Sequence, residues 1–432
     1  MTVRRLLIRP GSDQLDTSTF AWQGPDGSSF RTDLEPELRS LGGVPLPHRD
    51  FVTFATGVFL ADRTIERPKS WRREIELEVP VYDVFGWAEL ADHFAETLEI
   101  LSSDSWQLTF TQRPETEAPK ATSPVEHDRV LLFSGGADSL CGAIRSLAAG
   151  EHLLLVSHWD WSGHHAVQQR LASELAEQFP ELVTHHQIRL SRRSKQIGGG
   201  TFRDEPTRRT RSLLFQSLGF AEASVQPGAP LWIAENGYAA LNPPLSGERR
   251  GALSTRTTHP IVLSRVREAI QSLGGGSESQ NPFLALTKAE MYSDVAAILG
   301  KQYAEMILAA SHSCSHIRYA AGTGYPPETQ CGVCFGCLIR RAAFHAAGMA
   351  DNTIYLHKVI PTDEQPHHLR ETAQSEVGAA RYAGQRGIGV ADILALGLPD
   401  DVAVDDAVGV AERGLAELAA VLDAEPDLRD LQ

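Results

Sequence analysis

The stretch VLLFSGGADSLCGAI (130–144) decides how this chain is read. Its pattern predicts a buried strand ending at Phe133, a tight turn over Ser134, Gly135, Gly136, Ala137 and Asp138, and a helix beginning near Ser139. Paired glycines let backbone amides approach an anion closely, and the amides and helix N-terminus then supply hydrogen bonds and partial positive charge. Ser134 and Ser139 add hydroxyl donors, and Asp138 stands where a carboxylate can hold Mg²⁺ on phosphates. No GxxxxGK[ST] string is present, so this is not the usual loop for cleaving a γ-phosphate.

Outward from this loop the texture is that of a parallel sheet. VLLF (130–133), HLLLVS (152–157), HHQIRL (185–190), LWIAE (231–235) and MILAA (306–310) are short apolar runs. Helical patterns such as Ala166–Phe179 and Arg211–Ala223 fall between several of them. That alternation predicts an α/β fold, a parallel sheet with helices on both faces. Upstream, Ile75, Leu77, Val79 and Val81 alternate with polar residues, as do Trp106, Leu108 and Phe110. Trp87, Leu90, Phe94, Leu98 and Leu101 fall at helical spacing between them, so 1–110 reads as an α+β accessory domain. The proline-bearing segment 111–128 reads as a semi-rigid linker, 129–351 as the main domain and 352–432 as an acidic helical extension. Residues 391–432 carry eleven acidic side chains against Arg413 and Arg429. Val404, Val408, Ala411, Leu415, Leu418 and Leu422 still make an apolar stripe, which predicts an amphipathic helix there.

Two or three domains suit 432 residues, and 42% apolar residues are enough for a real core. Forty basic against fifty-five acidic residues give −15, which argues against non-specific binding to nucleic acid or an anionic membrane. No apolar run is long enough to span a bilayer, and Leu6–Ile8 is far short of a signal-peptide core, so a cytoplasmic protein is expected.

Four of the five cysteines crowd into 314–337. Cys331, Cys334 and Cys337 form Cys-x2-Cys-x2-Cys, and Cys314 is a remote fourth thiol. Four thiolates suit tetrahedral Zn²⁺ in a closed structural site; an iron–sulfur cluster takes the same ligands and stays open as the alternative. Cys141, one turn into the helix after the loop, reads as a small buried hydrophobe.

SGGADS resembles the SGGxDS signature of the N-type ATP pyrophosphatases, the PP-loop family. Followed about 175 residues later by Cys…Cys-x2-Cys-x2-Cys, it is similar to the 7-cyano-7-deazaguanine synthase, or QueC, family. DWSGHH (160–165) resembles that family's D-Y-G-Q-x-H stretch, RSLLFQS (211–217) its R-N-x-x-F-x-S helix, and Pro282 through Thr287-Lys288-Ala289-Glu290 its P-x(4)-[ST]-K-x-E segment. SHSC (311–314) and CGVCFGCLIRRAAFHAAGMAD (331–351) resemble its ending. The likeness covers roughly 128–351. It implies a PP-loop, HUP-like fold binding ATP, Mg²⁺ and Zn²⁺, with Ser134, Gly135, Gly136, Asp138 and Ser139 on the phosphates and Mg²⁺. It further implies that Arg211 and Lys288 stabilise phosphate charge, that His165 matches a family histidine, and that Cys314, Cys331, Cys334 and Cys337 hold the metal. A second metal at His158, Asp160, His164 and His165 is the weaker reading; loop histidines packing on the tryptophans is the stronger.

Departures from the family are as informative. Its S-G-Y-P-D-C-R segment is absent, replaced by ENGYAALNPPLSGERRGALSTRTTHP (235–260), and long extensions flank the shared region. In both respects the chain resembles the QueC-like proteins of anti-phage defence operons, the QatC type. That resemblance implies adenylylation of a 7-deazaguanine carboxylate, 7-carboxy-7-deazaguanine, with release of pyrophosphate. The acyl group then passes to an amine, either ammonia or the N-terminus of a partner protein from the operon. Glu235, Asn236, Asn242 and Arg256 follow the fourth strand, where α/β sheets place ligands, and are the candidates for substrate recognition. Two rivals remain: a non-catalytic ATP-binding scaffold, and a tRNA-thiolating PP-loop enzyme, for which the −15 charge is a poor match.

Overall fold

The computed structural model describes residues 2–9, 14–23, 27–34, 38, 41–68, 72–113, 126–196, 200–205, 207, 209–245, 256–276, 278–316 and 319–431. Most of the linker, and the middle of the 235–260 stretch, lie outside the described residues.

Two sheets carry the fold. Strands β1 (Thr2–Leu7), β2 (Thr19–Ala21), β4 (Glu74–Val81) and β5 (Ser105–Gln112) make a sheet of order β2-β1-β4-β5. All its neighbours run parallel, Ile75 lying opposite Trp106 and Thr2 opposite Ile75. The N-terminal region is therefore α/β, not the α+β arrangement that its alternating strands predicted. Helices α1 (Leu46–Thr64), α2 (Val84–Glu89) and α3 (Ala91–Ser102) cross between the strands, and crossover connections impose parallel pairing whichever way one face alternates.

The second sheet holds β6 (Arg129–Leu132), β7 (Leu153–Trp159), β8 (Val183–Arg192), β9 (Leu231–Trp232) and β10 (Ser279–Gln280) in the order β10-β9-β6-β7-β8, all parallel. Its far edge is closed by β3 (Phe30–Thr32), which comes from the N-terminal region and pairs antiparallel with β8. That strand covers an edge that would otherwise offer unpaired backbone groups. Buried runs such as RVLL and LLLVSHW become strands because helices cover both faces: α4 (Ala137–Ala148), α5 (Ser162–Gln178), α6 (Arg211–Ala223) and α8 (Pro260–Ser272) among them. A short α7 (Gly237–Leu241) follows β9. MILAA (306–310), expected as a strand, instead ends α10 (Lys301–Ala310), which follows α9 (Lys288–Leu299). Its buried residues Ala304, Ile307 and Leu308 share one helical face, and a short apolar run does not separate strand from helix by periodicity.

One apolar core runs continuously from Leu6, Phe54 and Trp87 to Val130, Leu154, Leu214 and Val266, joining the two sheets. Within it sits a buried ionic knot. Arg73 donates to Asp104 at 2.6 and 3.0 Å and also to Asp62. Asp62 accepts the Thr210 hydroxyl at 2.8 Å, at the cap of α6. A third unit, α11 (Phe335–Ala346), α12 (His367–Arg386) and α13 (Val404–Ala424), packs around Tyr238, Leu338, Leu369, Val410 and Leu418. The expected acidic helix is thus α13, and it packs on α7, α11 and α12. Among the described residues no helix is long and apolar enough to cross a membrane.

Replacing one partner of a buried ion pair leaves the other charge uncompensated. Asp104→Ala is expected to lower unfolding free energy by about 3–5 kcal/mol in denaturant titration. A loss below about 1 kcal/mol would show the knot to be solvated.

Candidate functional site

β6 ends at Leu132, and the chain turns through Ser134–Gly136 into α4. Gly135 takes φ +79°, a left-handed conformation, and a side chain there would press on Gln168 and Val167. Gly136 caps α4 with no side-chain hydrogen bond, so the first-turn amides keep their donors for a ligand. The Ser134 hydroxyl accepts the Gly136 amide at 3.1 Å and lies 3.2 Å from the Ser139 hydroxyl.

This turn forms one wall of a cavity of about 340 Å³. Ser134, Gly136, Asp138, Ser139, Glu235, Asn242 and Lys288 line it. The centre is an ion pair: Lys288, first residue of α9, places Nζ 2.5 Å from Asp138 Oδ2. Asn236, the cap of α7, donates through Nδ2 to Asp138 Oδ1 at 3.2 Å. Burial works against the Lys288 charge, but Asp138 outweighs it, and the ammonium is held above its usual pKa. Glu235, buried beside this pair, is pushed well above the ordinary carboxyl range, first by burial and then by the Asp138 charge. Asn281 fixes its backbone, donating to the Glu235 carbonyl at 2.7 Å.

The cavity does not take in every residue expected of it. Arg211 is not in the lining; its guanidinium donates to His158 Nδ1 at 3.2 Å and to the His158 carbonyl at 3.1 Å. Gln168 links that carbonyl, at 3.1 Å, to the Ser134 carbonyl, at 3.3 Å, so Arg211 backs the loop from behind. His165 packs on Trp159 at 4.7 Å and His164 on Trp161 at 5.2 Å, as expected, but both stand in the first turn of α5 and not in a loop. Arg256 donates to the Leu396 carbonyl at 3.4 Å, while its neighbours Thr257 and Thr258 line the cavity. His312, Ser313, Ser315, Phe335, Gly336 and, from α12, Glu376 also line it. The SHSC string signalled His312 and Ser313; nothing in the sequence marked Glu376, which arrives from a separate helix.

The four thiols meet next to this wall. Cys314, Cys331, Cys334 and Cys337 are buried, their sulfur atoms all within 4.8 Å of one another. Cys331 and Cys337 lie 3.8 Å apart, Cys334 and Cys314 3.9 Å. Zinc–sulfur bonds of about 2.3 Å in a tetrahedron require sulfur separations of roughly 3.8 Å, so the set fits one tetrahedral ion. An iron–sulfur cluster, which puts inorganic sulfides and several irons between the thiolates, needs more space. Backbone amides of His316, Cys331 and Cys334 point at the sulfurs of Cys314 and Cys331 at 3.3–3.4 Å, which orients the ligands. The knuckle also shapes the cavity, since the His312 amide, two residues before Cys314, donates to the Gly135 carbonyl at 2.9 Å.

Elemental analysis of purified protein is expected to give one zinc per chain. Cys337→Ser and strong chelation should each lower that content together with the melting temperature. Iron with inorganic sulfide would overturn the single-ion reading.

No family model matches the chain. It is similar, at 28% identity over 261 residues, to the 7-cyano-7-deazaguanine synthase of Novosphingobium aromaticivorans, covering 56% of this chain and 97% of that one. The 7-cyano-7-deazaguanine synthase of Syntrophobacter fumaroxidans is 27% identical over 261 residues, covering 54% and 98%. 7-cyano-7-deazaguanine synthase 1 of Sphingopyxis alaskensis is 27% identical over 250 residues, covering 52% and 97%. A QueC-like region thus accounts for about half of this chain.

Proposed function

We propose that the chain is an ATP-dependent ligase that adenylylates the carboxylate of a 7-deazaguanine, 7-carboxy-7-deazaguanine, and passes the acyl group to an amine. The observation that carries this reading is the Lys288–Asp138 pair at the mouth of the Ser134–Ser139 turn. A carboxylate oxygen attacks the α-phosphorus of ATP, the bond to the β-phosphate breaks, and pyrophosphate leaves with its electron pair. The amine then attacks the acyl carbon, loses a proton, and AMP departs. Loop amides, the Ser134 and Ser139 hydroxyls and Lys288 hold charge on the phosphates; such work is positioning and electrostatic stabilisation, with no covalent enzyme intermediate. Mg²⁺ would be held by Asp138, a hard oxygen ligand already in the lining, and would supply further charge neutralisation. Arg211 acts behind the loop, fixing His158 and through it the strand end, rather than on the substrate. Zinc, in this reading, is the ion of the four thiols.

The relatives are named synthases of 7-cyano-7-deazaguanine, which supports the deazapurine acid as substrate. The rebuilt 235–260 stretch and the flanking segments 1–110 and 352–432 support the finer reading of a QatC-type protein, acting in the cytoplasm in anti-phage defence on a protein amine. Glu235, Asn242 and Thr257 are then the side chains offered to the deazapurine, while Asn236, fully buried, holds Asp138 from behind. The intact ion pair disfavours a scaffold that merely keeps ATP, and the single-ion thiol spacing disfavours a cluster-bearing tRNA thiolase.

Purified protein given ATP, Mg²⁺, ammonium and 7-carboxy-7-deazaguanine, with and without the neighbouring operon's proteins, is expected to yield AMP, pyrophosphate and a new amide or modified polypeptide by mass spectrometry, or a nitrile where a second ATP activates the amide oxygen and carries it away as AMP. Untouched ATP under all conditions would refute the ligase. Lys288→Met should cut pyrophosphate release by about 100-fold, the usual scale for losing one preorganised charge contact in a water-poor site.

A further inference from the structure

We propose that Glu417, on α13, is a positioning residue for Lys288: its carboxylate holds the N-terminus of α9 and so sets where the ammonium stands beside the phosphate loop. The inference rests on the nucleotide-activating reading above and adds the C-terminal extension to that site.

Lys288 is the first residue of α9, so the cap of that helix fixes its direction. Thr287 forms a capping box with Glu290, its hydroxyl accepting the Glu290 amide at 3.2 Å while Glu290 Oε2 accepts the Thr287 amide at 2.8 Å. Onto this box α13 adds a second clamp. The Thr287 hydroxyl donates to Glu417 Oε1 at 2.5 Å, and the Ala289 amide donates to the same carboxylate. One turn earlier, Arg413 donates to Glu290 Oε1 at 2.9 Å and to the Ala285 carbonyl at 2.8 Å. Contacts from one helix therefore address residues 285, 287, 289 and 290, on both sides of Lys288.

A lysine at a helix N-terminus faces the positive end of the helix dipole, which opposes its charge. A carboxylate placed on the same end offsets that penalty and leaves the lysine free to pair with Asp138. The same helix also bears on Asp138 from the other side. Gly414 lies so close to Tyr238 that a Cβ there would fall 2.4 Å from its side chain. Tyr238 is two residues beyond Asn236, which donates to Asp138. Glu417 is not a favourable site for a charge in isolation: burial pushes its carboxyl up to about 7, with Glu290 adding repulsion and Arg413 opposing it. A residue kept for placement at such a site should be dispensable for stability and not for binding.

The test is a double-mutant cycle between Glu417 and Lys288, read as affinity for a non-cleavable ATP analogue with Mg²⁺ by calorimetry, with a thermal melt of every variant. Glu417→Ala is expected to weaken binding about tenfold in the natural background and less than twofold alongside Lys288→Met, with little change in melting temperature. Glu417→Gln, which keeps the acceptor oxygen, should recover most of the loss. An equal loss in both backgrounds, or none in either, would overturn the proposal. Should Glu417→Ala melt early, Glu417→Met, which keeps the packing volume and removes the acceptor while leaving the Thr287–Glu290 capping box in place, repeats the cycle. Analogue binding needs no acyl acceptor, so coupling without any pyrophosphate release would leave this inference standing and defeat the ligase reading.

Discussion

The site depends on one buried ion pair, Lys288 with Asp138, at the N-terminus of α4. A lone charge in that position would carry several kcal/mol of desolvation cost, which the pairing offsets. Paired, they put a cation beside uncapped helix amides in the lining of the cavity. That combination suits a polyanion, whose attraction to the charge would strengthen as water is displaced. Glu235 stands beside the pair, its carboxyl pushed up by burial and by the Asp138 charge and drawn down by Lys288.

Three remote parts of the chain converge to hold this pair. The thiol knuckle hands His312 to the Gly135 carbonyl and keeps the turn's far wall in register. The acidic helix α13 grips the cap of α9. The N-terminal region, through Arg73, Asp62 and Thr210, seats the start of α6, from which Arg211 braces His158 behind the loop. The same region lends β3 to the edge of the larger sheet, so the two sheets share one core. Both flanking segments therefore pack against the elements that carry the cavity.

What could be read from residues alone is what local chemistry encodes. SGGADS specified a turn that needs glycine at Gly135, and Cys-x2-Cys-x2-Cys specified thiols that meet. Arg211–Ala223 was legible as a helix to the residue, its thirteen residues holding no proline and being too long for a buried strand. MILAA was not, because five apolar residues fit a strand as well as one buried helical face. The parallel pairing of β4 and β5 was hidden too, since alternation reports which faces are covered and not which way a neighbour runs. Arg211 missed the cavity for a related reason: a motif gives a position on a helix, while the direction of its side chain depends on His158, some fifty residues earlier. Glu376, Thr257 and the grip of Glu417 on Thr287 are tertiary facts with no local signature.

The central claim is that a carboxylate oxygen displaces pyrophosphate from the α-phosphorus of ATP held by residues 134–139. The most direct measurement supplies ¹⁸O-labelled 7-carboxy-7-deazaguanine with ATP, Mg²⁺ and an amine, and follows the label by mass spectrometry of the released nucleotide. The account predicts AMP carrying one ¹⁸O atom from the substrate carboxylate. Unlabelled AMP, or ADP with inorganic phosphate as the products, would contradict it.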